Sequence, residues 1–120
     1  MLIKSEKNCD AFVANDGCTI VELLHPKNDA VDLPYSFAIA IVEAGQASYR
    51  HRLRQTEIYY LLSGAGLMHV DDEVEPVQEG DAVVIPAGAV QWIENRGETR
   101  LKFAAVVSPP WREEDDLRLE

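Results

Sequence analysis

The feature that most restricts the fold of this chain is a series of short apolar runs separated by turn residues. The runs are four to eight residues long, which is strand length, and no amphipathic segment of helical length competes with them. Gly, Asp, Asn and Pro, which favour tight turns, lie between the runs. The pattern predicts an all-β sandwich or barrel, with a single helical turn near the C-terminal EEDDLRLE. The predicted strands are 19–24, 35–42, 57–62, 67–70, 82–86, 90–94 and 101–107.

The length and the charge of the chain exclude several classes of function. A chain of 120 residues predicts one domain, 1–120, with a barrel core at about 19–107 and a C-terminal tail at 108–120. The net charge of -10 is opposite to that of surfaces that bind nucleic acid or an anionic membrane, so neither partner is expected. No apolar stretch has the length of a signal peptide or a membrane span. We therefore expect a cytoplasmic protein.

Neither the cysteines nor the acidic runs indicate a reactive site. Cys9 and Cys18 lie outside any CxxC or Cys/His spacing, so they are expected to be reduced structural thiols. Six acids fall between Asp71 and Asp81, and a second run extends over 113–116. Both runs are expected to be solvated surface.

Alternation along the central strands predicts which side chains share a face. His51 and Leu53 share one face, and Glu57 and Tyr59 share a face of the next strand, because successive strand residues point to opposite sides. The other side of that strand is also apolar, which a sheet with one face in water would not show. A second sheet or a partner subunit must cover it, so a homodimer is expected. The residues on this outer side are Ile58, Tyr60 and Leu62.

Two glycine-framed segments resemble the two sequence motifs of the cupin superfamily. The first runs from Gly45 through His51 and Glu57 to Gly64, and it follows the family spacing G-x5-H-x-H-x3,4-E-x6-G except at the second His. The second, GDAVVIPAGAVQWIEN at 80–95, follows G-x5-P-x-G-x2-H-x3-N except at its His. The resemblance implies a small single-domain cupin of the type-2 conserved-barrel kind. Its fold would be a double-stranded β-helix, a jelly-roll-like barrel.

The resemblance also implies that part of a metal site has been replaced. In the family, three His and one Glu meet inside the barrel mouth; His51 and Glu57 match two of them, whereas Leu53 and Gln91 replace the other two. Leucine binds no metal and an amide oxygen is a poor ligand, so the site is expected to be weak, atypical or absent. If one divalent transition metal ion binds, the expected ligands are His51, Glu57 and Gln91. The two-His, one-carboxylate set of iron oxygenases is not available from these positions.

A pocket lined by His51, Leu53, Glu57, Tyr59 and Gln91 is therefore predicted. The leading hypothesis is a small-molecule-binding protein. The alternative is an isomerase, epimerase or lyase acting on a small sugar-like or carboxylate metabolite, with His51, Glu57 and Tyr59 as catalytic residues. A third interpretation is an inert relic in which these groups satisfy one another. In each case the pKa of a buried Glu57 must rise, or the carboxylate must find a partner.

The remaining polar and aromatic residues are expected to have structural roles rather than ligand-binding ones. Met68 and Val70 form an inward pair, so His69 should face outward. His69 and His25 are each expected to be a surface or hydrogen-bonded histidine. Trp111, after two prolines, is expected to anchor the tail onto the barrel. The strand face opposite His51 carries Arg50, Arg52 and Arg54.

Overall fold

The computed structural model describes residues 1–120, and strands make up nearly all of its regular structure. Two single 3-10 turns, Glu6–Asn8 and Glu113–Asp115, are its only helical segments. Neither of them has the length or the apolarity of a membrane-spanning helix. The strands are β1 Ala11–Val13, β2 Thr19–Leu24, β3 Ser36–Val42, β4 His51–Leu53, β5 Thr56–Ser63, β6 Ala65–Val70, β7 Glu73–Gln78, β8 Ala82–Ile85, β9 Val90–Glu94, β10 Leu101–Ser108 and β11 Asp116–Arg118.

The strands form two antiparallel sheets that face each other. One sheet has the order β1-β2-β3-β10-β5-β8, and the other has the order β11-β4-β9-β6-β7. Strands that are distant in sequence are neighbours in both sheets, as a jelly-roll-like barrel requires. The all-β barrel predicted from the spacing of the apolar runs is confirmed.

Side-chain alternation places the main core between the two sheets. On β5 the inward residues Tyr59 and Leu61 are buried, and they pack in one cluster with Phe103 of β10 and Ile93 of β9. Met68 is also in this cluster, so the inward direction predicted for it is confirmed. Burial of this apolar surface is the main favourable contribution to folding.

The outer side of the six-stranded sheet is covered only in part by the chain itself. A second buried cluster of Val21, Ile39 and Ala104 lies there, and Cys9 from the N-terminal segment packs against it. The same segment is tied down by an ion pair between Lys102 Nζ and Glu6 Oε2 at 2.9 Å. Three apolar side chains on β5 and β8 stay exposed: Ile58, Tyr60 and Val84.

The structure contains several strands that the sequence pattern did not predict. The segment Glu73–Gln78, expected to be solvated acidic surface, forms β7 at the edge of its sheet. Pro76 is tolerated there because an edge strand need not donate every backbone hydrogen bond. The C-terminal tail contains the expected helical turn at Glu113–Asp115, but it then continues as β11, which pairs with β4.

The glycines of the two predicted motifs lie at turns that need them. Gly64, between β5 and β6, has a φ of 84°. A Cβ at this position would lie 2.7 Å from the carbonyl oxygen of Arg100. Only glycine accepts this backbone conformation together with such a close approach.

Candidate functional site

A cavity of about 70 Å³ opens between the sheets, at the end of the barrel where β3 and β5 begin and β10 ends. Its wall includes His51 and Leu53 of β4 and Glu57 of β5. β4 and β5 belong to different sheets, so the barrel itself brings the imidazole and the carboxyl to one space. The predicted convergence of these side chains is the geometry observed.

His51 directs one ring nitrogen toward this cavity. Its side chain is 4% exposed, and its Nδ1 lies 3.0 Å from the carbonyl oxygen of Tyr49. A carbonyl only accepts hydrogen bonds, so Nδ1 carries a proton and donates it. The other nitrogen, Nε2, is 4.0 Å from Asp16 Oδ2, which is beyond hydrogen-bond distance. Nε2 therefore has no partner within the protein.

Glu57 is a buried acid that keeps its proton at neutral pH. Its side chain is 8% exposed, and burial, with a smaller contribution from the charge of Asp16, raises its pKa to about 8. A hydrogen bond with Gln91 opposes the rise without cancelling it. Removal from water disfavours the charged form of a carboxyl, which is the dominant effect here.

Tyr59 and Gln91 lie behind Glu57 and do not line the cavity. The Tyr59 hydroxyl donates to Gln91 Oε1 at 3.0 Å, and both side chains are buried. Since burial raises the pKa of Tyr59, its hydroxyl keeps the proton that it donates. The Gln91 oxygen is thus engaged, which leaves its amide nitrogen as the donor toward Glu57. Of the five pocket residues predicted from the sequence, the cavity wall contains His51, Leu53 and Glu57.

Two aspartates that no sequence pattern singled out also line the cavity. Asp16 lies in the loop between β1 and β2, where its Oδ1 accepts from the backbone N–H of Cys18 at 3.0 Å. Asp116, the first residue of β11, is paired directly with Leu53 of β4. Directly opposed residues of an antiparallel pair share a face, so Asp116 faces inward with Leu53. The prediction that the whole acidic run 113–116 is solvated is therefore wrong for Asp116. It is also wrong for Asp115, whose side chain is 13% exposed and accepts a hydrogen bond from Gln55.

Asp116 is held in place by the tail. Its Oδ2 accepts from Trp111 Nε1 at 3.0 Å, while its Oδ1 is buried and has no hydrogen-bond partner. Burial raises the pKa of this carboxyl, and the hydrogen bond from Trp111 and the nearby His51 oppose the rise. A buried carboxylate oxygen without a donor is costly, which marks this position as one for a ligand or solvent donor.

Trp111 fastens the tail to the barrel and also forms part of the cavity wall. Its backbone N–H donates to Ser36 Oγ at 2.9 Å, and its carbonyl oxygen lies 2.7 Å from Nε2 of His25. The predicted roles of Trp111 as an anchor and of His25 as a hydrogen-bonded histidine are confirmed. The sequence predicted an anchor rather than a ligand clamp, and the structure adds that Trp111 also lines the cavity, because β11 brings the tail back across it.

The other polar side chains predicted to face away from the site do so. His69 lies on the outer face of β6, where its Nε2 is 2.6 Å from Glu94 Oε2 and its ring stacks on Trp92 at a centroid distance of 3.6 Å. Three arginines are exposed on the side of β4 opposite His51, and Arg50 pairs with Glu120 at 2.9 Å. The other two are Arg52 and Arg54.

The side chains of this cavity do not form a ready metal site. No group of three or more His, Cys, Asp or Glu side chains is close enough to hold a metal ion. Leu53 offers no ligand atom, and the Gln91 oxygen accepts the Tyr59 hydrogen bond. A structural or catalytic transition-metal site needs at least three converging protein ligands, so the residues present do not fit a tightly bound ion.

Comparison with known proteins decides the family. Residues 38–107, more than half of the chain, match the family model described as a cupin domain. The chain is a cupin. This confirms the family predicted from the two glycine-framed motifs.

Two relatives resemble this cupin in sequence. An uncharacterised protein from Methanocaldococcus jannaschii is 39% identical to it over 99% of this chain and 96% of its own length. An oxalate-binding protein from Thermotoga maritima is 41% identical over 51 residues, which is 42% of each chain. The match to the Methanocaldococcus jannaschii protein covers nearly the whole sequence, including the N-terminal and C-terminal residues of the cavity. The match to the oxalate-binding protein covers less than half of the sequence.

Solved structures of similar shape span several activities. A predicted oxalate decarboxylase from Thermotoga maritima has a TM-score of 0.78 and 25% identity, covering 90% of this cupin and 99% of its own chain. Streptomyces Pac13, a nucleoside dehydratase, has a TM-score of 0.77 and 16% identity, and the match covers 100% of this cupin and 92% of the Pac13 chain. At this identity the second likeness shows the fold alone. The similar structures therefore establish the fold but not the activity.

Proposed function

We propose that this cupin binds a small molecule in the cavity beside His51 and Glu57, without a tightly held transition metal. The observation that carries the proposal is Nε2 of His51, which has no partner within the protein and faces the cavity from a side chain that is only 4% exposed. Polar atoms in such confined positions usually meet a hydrogen-bond partner, either from the protein or from an ordered molecule. A bound molecule would supply the partner that the protein does not.

The size and lining of the cavity suit this role. A volume of about 70 Å³ corresponds to roughly five water positions, so it accepts a molecule of similarly few non-hydrogen atoms. Apolar side chains such as Leu53 and Val107 form much of the wall, with a few polar groups among them. This combination is typical of small-molecule sites. The partial match to an oxalate-binding protein supports ligand binding without identifying the ligand.

A cavity-filling variant tests the proposal. Ala38 lines the cavity, so Ala38→Leu should fill part of it, whereas Ala30→Leu places the same side chain on the exposed surface. A set of small metabolites is screened by thermal shift and by ligand-observed NMR against wild type and both variants. A ligand at about one hundred times its Kd adds about 2.7 kcal/mol of stability, which is readily measured.

We expect at least one compound to stabilise the wild type and Ala30→Leu but not Ala38→Leu. Binding that survives in Ala38→Leu would contradict the assignment of the cavity. Elemental analysis of protein purified without chelator or nickel resin tests the second half of the proposal. A stoichiometric transition metal would contradict it.

Acid/base catalysis is the second candidate function. Glu57, with a pKa of about 8, is a proton donor near neutral pH, and the free Nε2 of His51 is a base that faces the same cavity. Such an opposed pair suits an isomerase, epimerase or lyase acting on a small sugar-like metabolite. Tyr59 would act through Gln91 on Glu57, as a positioning residue. Activity that persists in both His51→Ala and Glu57→Gln would exclude the pair.

The outer face of the six-stranded sheet supports a homodimer. Val84 is 65% exposed on β8, and its partner across the strand pair, Ile58 of β5, is 40% exposed. Adjacent exposed apolar residues on one sheet face suit burial against a second subunit. A cytoplasmic location and the absence of nucleic-acid and membrane partners stay predictions from the sequence.

A further inference from the structure

Most of the ionisable side chains in the cavity wall are acidic. The wall contains four carboxyl groups and one imidazole, and it contains no Lys or Arg. We propose that the ligand of this cavity is a small organic cation that carries ammonium or amidinium N–H groups. The inference rests on the proposed binding function, and it adds the chemical class of the ligand. The four acids are Asp16, Glu22, Glu57 and Asp116.

Two hydrogen-bond acceptors face each other across the cavity. His51 Nε2 and Asp16 Oδ2 are 4.0 Å apart. Nδ1 of His51 donates its proton to the carbonyl oxygen of Tyr49, so in the singly protonated ring Nε2 is an acceptor, as is the carboxylate oxygen. Two acceptors cannot satisfy each other. An ammonium group beside them can donate to both.

A third acceptor is buried on another wall of the same cavity. Asp116 Oδ1 has no hydrogen-bond partner, although Oδ2 of the same carboxyl is bonded to Trp111. Asp16, His51 and Asp116 belong to the β1–β2 loop, β4 and β11, so these residues line the cavity from separate elements. A ligand with several N–H groups matches this arrangement.

No lysine or arginine of the protein reaches these two aspartates. Lys27 is 3.9 Å from Glu22, and Arg54 is 3.9 Å from Asp115. The only positively ionisable side chain within 4.0 Å of Asp16 is His51, and none lies within that distance of Asp116. A cationic ligand would balance this charge.

Ligands of the other charge classes fit this cavity less well. An anionic ligand would add negative charge to a confined, partly desolvated space, where like charges repel strongly. This disfavours the carboxylate metabolites that the sequence left open. A bare transition-metal ion needs three or more ligand atoms within bonding distance, and the side chains do not converge in this way. An organic cation is large enough to reach acceptor groups that are too far apart to bind one metal ion.

Glu57 links binding to pH. The titratable groups that surround it are Asp16, Glu22, His51 and Asp116 around the cavity, with Cys18 and Tyr59 behind it. In the empty cavity its pKa is about 8, so it is mostly protonated at neutral pH. A cation nearby favours the ionised form and should release a proton on binding. Affinity for an amine that stays protonated should therefore increase as the pH rises toward 8.

Three probes with one carbon skeleton test the charge class: 1,3-diaminopropane, 1,3-propanediol and malonate. Binding is measured by calorimetry and thermal shift in phosphate buffer, because Tris is itself an organic ammonium. The variants are Asp16→Asn and Asp116→Asn, which remove charge and keep shape, and the control is exposed Asp72→Asn. Each apo variant is first checked by circular dichroism. The amide introduced by Asp16→Asn retains an oxygen that can accept from the Cys18 N–H.

We expect the diamine to bind and to release protons, and each cavity variant to weaken it by at least about tenfold, with Asp72→Asn unchanged. Tighter binding of malonate or the diol, lost in Ala38→Leu, would overturn the cation assignment while the binding function stands. Failure of the diamine to bind, or unchanged affinity in both cavity Asp variants, would overturn it as well. The metabolite screen with Ala38→Leu judges the binding function separately.

Discussion

Glu57→Gln should make the protein more stable, and the gain should grow as the pH rises. The folded protein holds the Glu57 proton up to a pH of about 8, whereas the carboxyl has an ordinary value of 4.5 in the unfolded chain. Between these pH values the folded state binds more protons than the unfolded state. Glu57 therefore lowers the free energy of unfolding progressively as the pH rises from about 4.5 to about 8.

The size of the effect follows from the two pKa values. The difference between pKa values of 4.5 and about 8 corresponds to about 5 kcal/mol of the free energy of unfolding. About 3 kcal/mol of this is already lost at pH 7. Glutamine has nearly the shape of glutamic acid and carries no charge at any pH. The stability difference between Glu57→Gln and wild type should thus widen by about 4 kcal/mol between pH 5 and pH 9.

Urea unfolding followed by tryptophan fluorescence at several pH values provides the assay. The variant and the wild type share every other titrating group, so the change in their difference with pH reports Glu57 itself. Glu98→Gln, on an exposed turn, is the matched control and should show a constant difference. Parallel stability curves for Glu57→Gln and wild type would contradict this prediction, because they would mean that Glu57 has the same pKa in the folded and unfolded states.

Two further predictions concern the metal-ligand positions and the outer sheet face. A Leu53→His, Gln91→His double variant should bind a divalent transition metal stoichiometrically by elemental analysis, because it completes the family's ligand set; no gain would contradict the alignment of these positions. Val84→Asp should shift a dimer to monomer by light scattering, since it places a charge on the exposed face of β8, whereas Val74→Asp on the other sheet should not. Equal behaviour of the two valine variants would contradict that interface.

The barrel and the central pair of the site could be predicted from the sequence. Strand alternation and glycine spacing place His51 and Glu57 on inward faces, and the two-sheet barrel then brings them to one cavity. Tyr59 was selected because it shares a face with Glu57, and Gln91 because it stands where the second family motif has its His. Alternation gives the direction of a side chain but not its depth, and both residues lie behind the cavity wall in a hydrogen bond with each other.

The acidic part of the site could not be predicted, because long-range pairing creates it. Asp16 follows a three-residue strand, and Asp116 follows a 3-10 turn in a charged tail, so neither shows a strong local pattern. Asp116 faces inward only because β11 pairs with β4, more than 60 residues away in sequence. The edge strand β7 was also missed, because its acids and its proline form a pattern typical of a loop.

Direct titration of the Glu57 carboxyl by carbon-13 NMR tests whether an acid and an unpartnered imidazole nitrogen share one cavity shielded from water. Specific assignment comes from comparison with Glu57→Gln. We expect a midpoint near pH 8 for the unliganded protein. A midpoint near the ordinary value of 4.5 would place the carboxylate in water and contradict this expectation.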